Sequence, residues 1–182
     1  MDSTTFDVPA GQRQLFLDDV GIAHIENLNR TMHQPVKKGA VIRPDYHLGI
    51  SSHQVRTAPV WDPDEQVFKL LVHGKPDDMP IVASSYFESK DGLHWTKPSL
   101  GQVEYPPQPP LEGGVNSGSR DNNYVHVDTG KYQLAPYMMV RDPNDPDPSR
   151  RYKGATHFHR QINGQKTEPA VCFFVSPDAR NW

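Results

Sequence analysis

One pattern occurs twice in this chain and leaves few architectures open. The first copy reads Ala58-Pro59-Val60-Trp61-Asp62-Pro63, then Val67-Phe68-Lys69, then Ser89-Lys90-Asp91-Gly92-Leu93-His94-Trp95. The second reads Ala135-Pro136-Tyr137-Met138-Met139-Val140-Arg141-Asp142-Pro143, then Arg151-Tyr152-Lys153, then Ser176-Pro177-Asp178-Ala179-Arg180-Asn181-Trp182. Each copy runs strand, Asp-Pro turn, a strand ending in aromatic-Lys, a further strand, then Ser-x-Asp-x-x-x-Trp. In that last element an Asp can accept bonds from nearby backbone N–H groups, and Gly92 supplies a positive φ. The Trp then opens the next strand and packs between sheets. Because the element recurs at equivalent places, it reads as structure rather than catalysis. Asp62 and Asp142 likewise read as turn formers rather than acids.

The rest of the chain agrees with an all-β reading. Helical apolar stripes are nearly absent, and short apolar runs bounded by turn residues dominate. With 18 Pro and 13 Gly, many short strands must be joined by many turns. Strands are expected near 14–17, 57–61, 67–73, 81–88, 95–97, 124–127, 133–140, 152–159 and 171–175. Two copies in this order suggest antiparallel β-propeller blades, radially repeated. The chain divides into an N-terminal segment (1–56), a first blade (57–105), and a linker with an incomplete second blade (106–182). Pro106-Pro107-Gln108-Pro109-Pro110 favours polyproline geometry and reads as a stiff linker.

Composition excludes several functions. A formal net charge of −3 gives no basic field for nucleic acid. The single cysteine, Cys172, rules out an internal disulfide framework, and its apolar strand suits packing rather than nucleophilic chemistry. No stretch approaches the roughly 20 apolar residues of a membrane span. No signal peptide is visible, so a cytoplasmic location is the default. His157-Phe158-His159 would put two rings on one strand face, but no Cys or acid stands at zinc spacing, so no metal and no cofactor is expected.

The stretches Arg13-Gln14-Leu15-Phe16-Leu17-Asp18-Asp19 and Glu26-Asn27-Leu28-Asn29-Arg30-Thr31-Met32-His33-Gln34-Pro35 resemble the opening of a group of bacterial proteins similar to glycoside hydrolases. These belong to the five-bladed propeller superfamily that includes glycoside hydrolase families 32, 43 and 130. The resemblance continues through Val41-Ile42-Arg43-Pro44-Asp45, Ser89–Trp95, Arg120-Asp121-Asn122-Asn123 and Asp142–Lys153. It implies a propeller whose axial funnel binds sugar, with carboxylates around the funnel cleaving a glycosidic bond. Such a propeller needs roughly 300 residues at about 40–60 per blade. About two of an expected five blades are therefore present, and the family's acid Glu has no counterpart. The expectation is an N-terminal portion of a glycoside hydrolase-like propeller, inactive alone. The alternatives are a non-catalytic carbohydrate-binding or assembly module, and a fragment with no function by itself. Open blade edges would favour self-association.

Two residues are the catalytic candidates. Arg120-Asp121-Asn122 resembles an Arg-Asp-Pro element whose Asp starts an inner strand and faces the sugar, with Asn122 in place of Pro. The internal repeat disagrees, since it makes 133–140 the inner strand. An Asx-turn is the plainer reading of Asp121. Asp45 follows Arg43-Pro44 near the first inner strand, where these families place a nucleophile or base, and a loop-capping role is its alternative. Arg120, Asn122 and Asn123, together with His53 and Arg56 at the expected rim, are candidates for carbohydrate contacts.

Overall fold

The computed structural model describes residues 7–46, 50–77, 79, 81–105, 118–130, 132–162 and 165–182, without the side chains of 159–162 and 165–168. The Pro106–Pro110 linker and the side chain of His159 lie outside the described residues. Contacts divide the chain into two units, Met1–Lys37 and Lys38–Trp182.

The first unit is built of turns. Arg30 holds it locally, donating to the Asp18 carbonyl at 2.8 Å and to the Asp19 carboxylate at 2.7 Å. The expected strand at 14–17 does not form. Phe16 sits at φ 51°, which breaks an extended path, and Leu15, Phe16 and Leu17 are all exposed. An apolar run becomes a strand only if a partner edge takes its backbone groups.

The second unit is antiparallel β. Strands β1 (Val60–Asp62), β2 (Val67–Val72), β3 (Ser84–Ser89) and β4 (Trp95–Thr96) pair in chain order. Further along the same edge of β3 that carries β4, β5 (Tyr124–Val125) pairs with Ser84 and Ser85. A small hairpin, β6 (Val127–Asp128) with β7 (Gln133–Leu134), leads to a second sheet. There β8 (Met138–Arg141), β9 (Tyr152–Ile162) and β10 (Gln165–Ser176) also pair in chain order. One 3₁₀ turn, Pro148–Arg150, is capped by Asp147, which accepts from the Ser149 N–H. The expected strand at 133–140 is split, because Pro136 has no N–H to give a ladder. Among the described residues, no helix is long and apolar enough to cross a membrane.

Register assigns each face. Leu71 stands opposite Tyr86, and both pack against Met139 and Tyr152 of the second sheet and Ala179 in the turn after β10 to make the main core. On the reverse face of the first sheet, Leu70, Val72 and Phe87 are covered by Ile42 and Trp95. Trp182 lies over Gly154, where a Cβ would come within 2.7 Å of its ring, so β9 needs glycine at that point. The far face of the second sheet carries Val140, Val171, Phe173 and Val175, all exposed.

The two Ser-x-Asp elements adopt the same turn. Ser89 Oγ accepts from the N–H groups of Asp91 and Gly92, and the Asp91 carboxylate from those of Leu93 and His94. Ser176 Oγ and the Asp178 carboxylate repeat these bonds with Asp178, Ala179, Arg180 and Asn181. The indole N–H of Trp95 donates to the Gly92 carbonyl at 3.0 Å, and that of Trp182 to the Ala179 carbonyl at 2.8 Å. Gly92 takes φ 74° and Ala179 φ 65°.

Between the sheets lies a buried ion cluster. Lys69 is fully buried, and its ammonium meets Asp62 at 2.7 Å, Glu65 at 2.6 Å and the Asp178 carbonyl at 3.1 Å. Its three N–H donors are thereby all satisfied. Tyr152 closes the cluster, donating its hydroxyl to Asp62 at 2.6 Å. Burial pushes the Asp62 carboxyl up, but the Lys69 and Tyr152 bonds outweigh it and hold the group well below the usual carboxylate range. Asp62 is thus a turn former, accepting from the Asp64 and Glu65 N–H groups, and also the anion of a buried pair.

Candidate functional site

The residues singled out in the sequence go to three places. Asp45 is half-buried, with the Lys97 ammonium 3.9 Å from its carboxylate. Its charge helps burial push the nearby Tyr124 phenol up to about 12. His53 shares the Lys97 neighbourhood. Its ring meets Phe87 edge-on at 5.9 Å, and both ring nitrogens are buried without a hydrogen-bond partner among the described residues. Burial, and then the Lys97 charge, holds that imidazole below its ordinary value.

The 120–123 run lies along the outer edge of β3. Asn123 is buried, donating its amide to the Tyr86 carbonyl at 2.7 Å and accepting the Tyr86 N–H through its own carbonyl. Asn122 donates to the Val103 carbonyl at 2.7 Å, and its side-chain oxygen receives the Tyr124 N–H. Arg120 donates to the Gly101 and Gln102 carbonyls at 3.2 Å each and sits 3.7 Å from Glu104. These three side chains tie loop backbone to the sheet. Asp121 is exposed, in a turn where its N–H donates to Ser119 Oγ.

Arg56 alone reaches a cleft, of about 210 Å³, shared by the two sheets. Gln54, Arg56, His73, Tyr137, Thr156 and His157 line it, with Val82 and Ala135. Its position follows from strand ends. Gln54 bridges His73 at the end of β2, and Arg56 precedes β1. Tyr137 precedes β8, and His157 lies on β9. The cleft therefore opens where the first strand of each sheet begins. Tyr137 is buried and forms the floor. Its hydroxyl bonds His157 Nδ1 and receives the His157 N–H at 3.4 Å. The ring of His73 packs on Tyr137 at 5.2 Å.

The electrostatics of the cleft are one-sided. Burial, then the charges of Arg56, His157 and Lys75, keeps His73 below its ordinary value. Among the described residues, no acidic side chain lines the cleft. Neither Asp45 nor Asp121 does, so the structure does not bring the two carboxylates together there. Among the described residues, no group of three or more His, Cys, Asp or Glu side chains could hold a metal ion.

Sequence reasoning reached Arg56 but missed Gln54, His73 and Tyr137. His73 ends an apolar run and Tyr137 starts another, and in sequence both read as ordinary strand residues. Only the pairing of the two copies could have shown that these run ends meet. No family model, no curated protein and no solved structure matches the chain.

Proposed function

We propose that the chain supplies two blades of a propeller related to glycoside hydrolases, and that its part of the funnel binds carbohydrate without cleaving it. The observation that carries this reading is the cleft. Polar side chains from both sheets converge where β1 and β8 begin, the strand end at which the resembled families hold the sugar. Cleavage would need one carboxyl to protonate the leaving oxygen and a second, roughly 5–9.5 Å away, to attack or to activate water. The cleft has neither, and general acid catalysis is worth about 10²–10⁴-fold.

A second reading makes Asp121 the nucleophile or base of a longer propeller, favoured by its exposed position. The first is tested on residues 1–182, the second on a longer chain. Calorimetry against a panel of oligosaccharides is expected to find a binder, while reducing-end release stays at background. His157→Ala should weaken that binding by about three- to tenfold, the worth of one lost hydrogen bond. Robust hydrolysis by a longer chain carrying the later blades, abolished there by Asp121→Asn, would establish the second reading, and no binding of any sugar by residues 1–182 would sink the first.

A further inference from the structure

The lining of the cleft is unusual in what it lacks. Sugar hydroxyls donate as well as accept, so a site for a neutral sugar needs free acceptors as well as donors. Of the side-chain acceptors in the lining, those of Gln54 and Tyr137 are engaged and Thr156 Oγ1 keeps its lone pairs, but among the described residues none is a carboxylate. Gln54 Oε1 accepts from Arg56 at 3.0 Å, which leaves its amide N–H groups as donors. The Tyr137 oxygen is engaged twice by His157. The contact of that hydroxyl with Nδ1 leaves His157 Nε2 as the ring nitrogen open to a ligand. Arg56 spends one of its five N–H groups on Gln54. The charges that act on His73, which packs on Tyr137 and bridges Gln54, are those of Arg56, His157 and Lys75, all basic.

We infer that the cleft is a subsite for an acidic substituent carried on a sugar, a carboxylate or a sulfate ester. Such a group is acceptor-only and takes the forked donors of a guanidinium in pairs. The cleft, at about 210 Å³, falls below the roughly 300–1,000 Å³ of sites for drug-sized ligands, which suits one ring and its substituent. An anion seated there also favours proton uptake by His73, which burial and its basic neighbours hold below its ordinary value, so binding tightens as pH falls. The inference rests on the carbohydrate reading for the carrier of the charge, and on the lining alone for the charge itself.

The test is calorimetry on residues 1–182 with methyl β-D-glucuronide, methyl β-D-glucoside and inorganic sulfate, alongside the ring signals of His73 and His157 in proton NMR. The glucuronide should bind at least about tenfold more tightly than the glucoside, from the worth of a charge-assisted bond. Arg56→Gln should erase that preference with circular dichroism unchanged, because Arg56 is exposed. Gln54→Glu, which puts an acid into the lining, should erase it as well. Between about pH 8 and about pH 5.5 the carboxylate stays ionised, and affinity should rise as pH drops. Equal affinity for the two glycosides, or a preference that survives Arg56→Gln, overturns the inference and leaves the carbohydrate reading standing. Sulfate that shifts both histidines while both glycosides are silent overturns the carbohydrate carrier instead.

Discussion

Asp62 and Asp142 occupy the same place in the repeat and do different amounts of work. Each heads a turn, and each has a lysine early in the following strand and a second acid three residues on, Glu65 or Asp145. Lys69 is fully buried under Tyr152 and the Asp178 carbonyl, whereas Lys153 keeps partial exposure and lies 3.8 Å from Asp142. Breaking a buried pair by removing one charge leaves the other stranded, at a cost of about 3–5 kcal/mol. Asp62→Asn should therefore destabilise the fold by about that much in urea unfolding, while Asp142→Asn should cost under about 1 kcal/mol. The pH dependence has a definite sign. The Asp62 carboxyl is depressed in the folded chain, so its contribution is complete above the unfolded value of about 3.9 and is lost as pH falls below it. Asp62→Asn should flatten the acid limb of stability against pH, and an unchanged limb would remove Asp62 from that role. The turn-forming part of Asp62 was legible from Asp-Pro in the sequence. The ion pair was not, because its roof comes from Tyr152, 90 residues away.

The repeated turn was the most legible element, and it makes a sharp comparison. Both copies need a left-handed residue at the same position, filled by Gly92 in one and Ala179 in the other. A Cβ at Gly92 would meet nothing within 4 Å, so Gly92→Ala tests the backbone alone. It should cost about 1–2 kcal/mol, the penalty of a left-handed conformation for a residue with a Cβ. Ala179→Gly relieves a similar strain but removes a fully buried methyl worth about 0.8 kcal/mol. That variant should leave the melting midpoint nearly unchanged, and a loss of several kcal/mol would mean the packing had been undervalued. Strand order within each sheet was readable for the same reason as the turn, since short apolar runs and Asp-Pro corners act locally. What failed was the run at 14–17, where the apolar pattern was right and the partner edge was missing. The split at Pro136 follows a rule that was available in the sequence. The candidate site was the least legible, because Asn122 and Asn123 bond loop backbone and the cleft is assembled from run ends far apart in the chain.

At the scale of the whole molecule, the far face of the second sheet bears four exposed apolar side chains, Val140, Val171, Phe173 and Val175. Exposed apolar side chains on a sheet face, here interspersed with Lys153 and His157, are an association hazard. Phe173→Ser combined with Val171→Thr should shift sedimentation toward monomer without altering circular dichroism. An unchanged distribution would place self-association elsewhere. The repeat register adds a further consequence. Lys69 and Lys153 are counterparts, and the Lys69 face of the first sheet is the one that meets the second sheet. The Lys153 face of the second sheet is thus the forward face again, while the rear of the first sheet is stoppered by Ile42 and Trp95. The contact between sheets has no two-fold axis, so it is head-to-tail. Addition by that contact has a direction, because the two faces that meet are different. Each newcomer would need a hydroxyl in the place of Tyr152 to reach Asp142, and would present its own lysine to the next.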